Sequence, residues 1–99
     1  MNIQALMKQA QSLQKDMLKT KDEIDAMEFI GESSFVNVKV NGKKEVLKVT
    51  IKPDADFEVS DKEILEEMIQ VALNEAFKQV DKITEKKMGK YANSMPGLF

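Results

Sequence analysis

Fifteen lysines carry every side-chain positive charge of this 99-residue chain, which has no arginine, histidine, cysteine or tryptophan. An ammonium group is a compact point charge that seeks phosphates or carboxylates, and it lacks the planar fork with which arginine reads guanine. With neither thiol nor imidazole, the chain has no thiolate or imidazole to bind zinc, no disulfide and no Ser/His or Cys/His nucleophile pair. Asp54-Ala55-Asp56-Phe57-Glu58 begins like a calcium loop, but its sixth position is Val59 rather than glycine and its twelfth is Leu65 rather than glutamate. Glu66-Glu67 and Asp22-Glu23 are sequence neighbours that diverge on a helix, so neither makes a paired-carboxylate site. The four glycines are scattered singly and form no phosphate loop. The expectation is a chain with no catalytic residue, no metal, no cofactor and no small-molecule substrate.

Binding is therefore the chemistry to look for, and the net charge of −2 hides a segregated pattern. Residues 1–21, 33–52 and 78–99 carry net charges of +3, +4 and +3, whereas 22–32 and 53–77 carry −5 and −7. Such segregation can place a polyanion-binding surface on an acidic protein. Lys8, Lys15 and Lys19 line the outside of the first periodic segment, with Gln4, Gln9, Gln11 and Gln14 on its flanks. Lys78, Lys82 and Lys86 make a second row at i, i+4 and i+8, its like-charge repulsion relieved by Asp81 and Glu85. Both rows suit phosphate contacts, and both would also suit a solvated helix face.

The elements that position these lysines follow from periodicity. Ile3, Leu6, Ala10, Leu13, Met17, Thr20, Ile24 and Met27 alternate four and three apart, which predicts a helical arm over residues 1–28, with Leu6, Ala10, Leu13, Met17 and Ile24 as its dimer or packing seam. A narrow seam on so long a helix needs a second long helix of the same chain or the same helix of another copy. Residues 29–53 read as a β-hairpin sheet. Val36, Val38 and Val40 precede Asn41-Gly42, which suits a two-residue type I′ turn, and the return strand runs from Lys43 to Lys52 with Leu47, Val49 and Ile51 on one face. Glu28 to Ser33 leaves room for a further short strand, but the segment is too brief for its pattern to assign one. Ser60 or Asp61 caps a second helix over 60–88, whose broad apolar stripe suits packing on a sheet; Gly89 ends it, and 89–99 forms an extended tail. No apolar run is long enough for a membrane span and the N-terminus lacks a secretory pattern, so the expected compartment is the cytoplasm.

Seven motifs in register resemble the YbaB/EbfC family of bacterial nucleoid-associated proteins. They are Met7-Lys8-Gln9-Ala10-Gln11, Gly31-Glu32-Ser33, Val36-x-Val38-x-Val40-Asn41-Gly42, Ile51-x-Pro53, Asp61-x-Glu63-x-Leu65-Glu66-Glu67-Met68-Ile69, Asn74-Glu75-Ala76 and Met95-Pro96-Gly97-Leu98-Phe99. The resemblance implies an α+β chain forming a tweezer-like homodimer, with a small antiparallel sheet and the second helix as its body and long helices as projecting arms. It also implies binding of double-stranded DNA in the nucleoid, and the absence of arginine makes low sequence specificity the expectation. The rival reading is a coiled-coil adaptor or chaperone-like clamp that holds a protein client.

Overall fold

Val36, Val38 and Val40 alternate with polar residues along the middle strand of a three-stranded antiparallel sheet and are among the most deeply buried side chains of the chain. The computed structural model describes residues 2–53, 56 and 58–94, the side chains of 92–94 excepted. Its elements are α1 (Ile3–Ala26), β1 (Glu28–Ser33), β2 (Val36–Asn41), β3 (Val46–Ile51), a single 3-10 turn (Val59–Asp61) and α2 (Lys62–Ser94). The sheet order is β1-β2-β3, an α+β arrangement.

One face of the sheet is covered by α2. Phe29 and the three β2 valines meet Ala72, Ala76 and Val80, with Leu65, Ile69, Leu73 and Phe77 packed around them. Small residues on the helix and a glycine on the strand let the two backbones approach closely. A Cβ at Gly31 would lie 2.0 Å from the Ala72 carbonyl oxygen, so only glycine fits there.

The hairpin differs from the expected two-residue turn. Asn41 N–H donates to the Glu45 carbonyl at 3.0 Å, the Asn41 side-chain oxygen accepts from Lys43 and Glu45 N–H, and the positive φ of 62° falls on Lys44. Gly42 serves packing here: a Cβ on it would meet the Ile24 carbonyl oxygen at 1.9 Å, because the end of α1 rests on the turn. β3 accordingly starts at Val46 rather than Lys43, and a bulge pairs Val46 with Val40 while Lys48 pairs with Lys39. The inserted residue, Leu47, shifts the alternation, so Val46 joins Val49 and Ile51 on the helix-side face. The face assignment read from simple alternation, with Leu47 in that set, is corrected by one residue.

The second helix is also longer than its sequence signals suggest. The 3-10 turn before it is closed by the Asp61 carboxylate, which accepts from Glu58 N–H at 3.0 Å, and the helix starts at Lys62. It then runs through Gly89 to Ser94, which corrects the expected stop at 88 and makes helix of the first part of the expected tail. Glycine inside a helix costs about 1 kcal/mol, but Met88 and Tyr91 on either side of it are buried against α1, and that packing outweighs the cost. Residues 95–99 of the expected tail lie outside the described residues.

Candidate nucleic-acid interface

Past the sheet, α2 pairs with α1 to form a projecting arm. Ile24 (2% exposed) and Tyr91 (3%) close its base with Met88, and Leu13, Met17 and Ile83 pack around them. The one polar residue of the α1 seam, Thr20, has its hydroxyl 3.2 Å from the Tyr91 hydroxyl. A polar atom in an apolar seam needs a partner, and in sequence terms Thr20 was the signal that such a partner existed. The C-terminal half of the seam is thus satisfied within the chain. Leu6 and Ala10, nearer the tip, remain exposed with Ile3 and Met7.

The arm makes the molecule long. Its extents are 71 × 19 × 14 Å and its radius of gyration is 19.6 Å, against about 13 Å for a compact chain of this length. Asn2 caps the free end of α1, its side-chain oxygen accepting from Gln4 N–H at 3.0 Å and Ala5 N–H at 3.3 Å.

Lys8, Lys15 and Lys19 are all exposed on α1, on the side away from Leu13, Met17 and Ile24. From Lys8 to Lys19 the helix rises roughly 16 Å, a length over which three ammonium groups can follow a phosphate backbone. Lys78, Lys82 and Lys86 are exposed on α2, Lys78 over the sheet region and Lys86 on the arm. Among the described residues the ion pairs are Lys21–Asp25 at 3.2 Å, Lys39–Glu28 at 3.6 Å and Lys44–Asp81 at 2.7 Å. None of the six lysines singled out by spacing belongs to those pairs, so none is held by a carboxylate partner among the described residues. The structure distributes the six over two helices without joining them into one row. Lys87 and Lys90, exposed near the end of α2, lie in a stretch read from the sequence as helix end and tail, and they add to the arm's positive charge; the Lys90 ammonium sits 5.0 Å from the Tyr91 ring centroid. Among the described residues no group of three or more acidic side chains is placed to hold a metal ion, and no helix is long and apolar enough to cross a membrane.

A family model for the YbaB/EbfC DNA-binding family matches residues 1–95. The chain belongs to this family. Relatives include nucleoid-associated proteins of Lactococcus lactis subsp. lactis, 40% identical over 97% of this chain and 98% of the relative, and of Streptococcus sanguinis, 45% identical over the same shares. A nucleoid-associated protein of Clostridium novyi is 42% identical over all of this chain and 90% of its own. The crystal structure of an uncharacterized protein from Helicobacter pylori superposes with a TM-score of 0.67 over 98% of this chain and 99% of that one. At 22% identity, that likeness speaks for the fold alone. The order of helix, three strands and helix is therefore a shape that the family member shares with a solved protein.

Proposed function

We propose that two copies of this chain form a tweezer-like homodimer that binds double-stranded DNA in the cytoplasm, at the nucleoid, without catalysis and with low sequence preference. The observation that carries the reading is the projecting two-helix arm, along whose α1 face Lys8, Lys15 and Lys19 are exposed and stand outside every ion pair among the described residues. Family membership and the nucleoid-associated names of the relatives support DNA as the partner. Lys8, Lys15 and Lys19 supply phosphate contacts along α1, and Lys78, Lys82 and Lys86 extend the positive surface along α2. Because lysine is mainly a phosphate-seeking point charge and lacks arginine's planar fork for guanine, affinity depends on salt far more than on sequence.

The test is a mobility shift on unrelated duplexes across a salt series. The log–log slope should be about −0.9 for each phosphate neutralised, with little difference between duplexes. An affinity indifferent to salt overturns the reading and favours a clamp for a protein client.

A further inference from the structure

Beyond Leu13, towards its free end, α1 stands alone among the described residues. Leu13 and Met17 pack towards Ile24, Met88 and Tyr91, whereas every residue from Asn2 to Ser12 is exposed. Residues 3–12 are thus a single helix about 15 Å long at the end of the arm. A lone helix, about 10–12 Å across with its side chains, fits the major groove of B-DNA, which is about 12 Å wide; the two-helix part of the arm does not. Charge decides what this tip can meet. The acidic residues of the chain begin at Asp16, so residues 1–15 hold Lys8 and Lys15 and no carboxylate. Such a tip repels its counterpart on a second copy and attracts a polyanion. Two of its apolar side chains, Ile3 and Met7, are nevertheless 69% and 57% exposed. At about 100° per residue, Lys8, Lys15 and Lys19 form one strip along the helix. Gln4 and Gln11 lie about 50° round from that strip, and Met7 and Ile3 follow roughly 50° and 90° farther on. A helix resting its lysine strip against one phosphate wall of a groove turns these glutamines, Met7 and Ile3 to the floor.

We infer that the tip of α1 enters the major groove and favours A·T base pairs there through Gln4, Gln11, Ile3 and Met7. This rests on the DNA-binding reading above and adds to it. The lysines supply salt-dependent affinity, and the strip beside them supplies a bias in base composition without a fixed site. A glutamine amide donates to adenine N7 and accepts from its N6 amino group, and an apolar side chain covers the thymine C5 methyl. Guanine shows two acceptors best met by arginine, which the chain lacks, or by lysine, which the tip directs to phosphate. Cytosine shows an amino donor best met by a carboxylate, and residues 1–15 have none. Both members of an A·T pair therefore find matching groups on the strip, and neither member of a G·C pair does.

Fluorescence anisotropy at one salt concentration tests this with three labelled duplexes of equal length. One is A·T-rich, one is G·C-rich, and one repeats the A·T-rich sequence with uracil in place of thymine, which removes the methyl group. Wild type should bind the A·T-rich duplex about threefold or more tighter than either of the others. Ile3→Ser with Met7→Ser should bind the thymine and uracil duplexes equally, and Gln4→Ala with Gln11→Ala should lose most of the preference over the G·C-rich duplex. All four positions are exposed and no lysine is changed, so helix content, the mass by light scattering and the slope of affinity against salt should stay those of wild type. If wild type binds none of the duplexes, the DNA-binding reading itself falls. If it binds all three equally, or if a preference for thymine over uracil survives in Ile3→Ser with Met7→Ser, that reading stands and the groove assignment is overturned. Loss of helix content or a changed mass in Ile3→Ser with Met7→Ser would show the tip packed against protein, and overturns the assignment too.

Discussion

Replacing Gly89 by alanine should stabilise the protein, and replacing Gly31 by alanine should do the opposite. Gly89 lies inside α2, five residues before its end at Ser94, and a Cβ built there meets nothing within 4 Å. Alanine in a helix interior is favoured over glycine by about 0.8–1 kcal/mol, part of it from the reduced freedom of the unfolded chain. For a domain of this size that is a rise of roughly 4–8 °C in Tm. At Gly31 the new Cβ would stand 2.0 Å from the Ala72 carbonyl oxygen and 2.9 Å from the Ala76 nitrogen, both helix backbone. The helix must then lift from the sheet, at a cost on the order of 3 kcal/mol. Thermal unfolding of wild type and both variants at one fixed protein concentration measures the pair, the concentration being held because association shifts Tm. A Gly89→Ala variant with an unchanged or lower Tm would refute a helix continuous through residue 89, and with it the second helix of the arm.

Tyr91→Phe removes one of the two hydroxyls that meet in the α1–α2 seam and leaves Thr20 half-buried without that partner, so chemical denaturation should show a loss of about 1 kcal/mol. Ile24→Ala empties the base of the arm beneath Met88 and should cost about 2–5 kcal/mol by the same measurement.

The C-terminal half of the α1 heptad, the valine alternation of β2 and the wide stripe of α2 were legible because each is a periodic apolar pattern matched to the face it buries. Local punctuation was a poorer guide. Gly89 looks like a helix stop, yet the neighbouring Met88 and Tyr91 find α1 only in three dimensions. Asn41-Gly42 looks like a tight turn, but Gly42 is needed where the end of α1 touches it, and the left-handed residue is Lys44. A bulge at Leu47 leaves no mark in composition, so the set of residues sharing the helix-side face of β3 could be assigned only from the register. The lysines of α1 were readable as exposed from their place opposite the seam, whereas the extension of the arm by α2, with Lys87 and Lys90 upon it, depended on tertiary packing.

Reversing charge on the arm tests the grip on DNA most directly. Lys8→Glu with Lys15→Glu alters exposed α1 positions, and Lys43→Glu with Lys62→Glu makes the same change in net charge at the hairpin and at the start of α2. None of these four lysines is in an ion pair among the described residues. Duplex affinity should be measured at one salt concentration, with mass and helix content matched across variants. The arm pair should weaken binding by more than about tenfold, or about 1.4 kcal/mol, and the body pair by clearly less. Equal losses would mean that net charge alone governs binding, and a larger loss from the body pair would place the DNA site away from the arms.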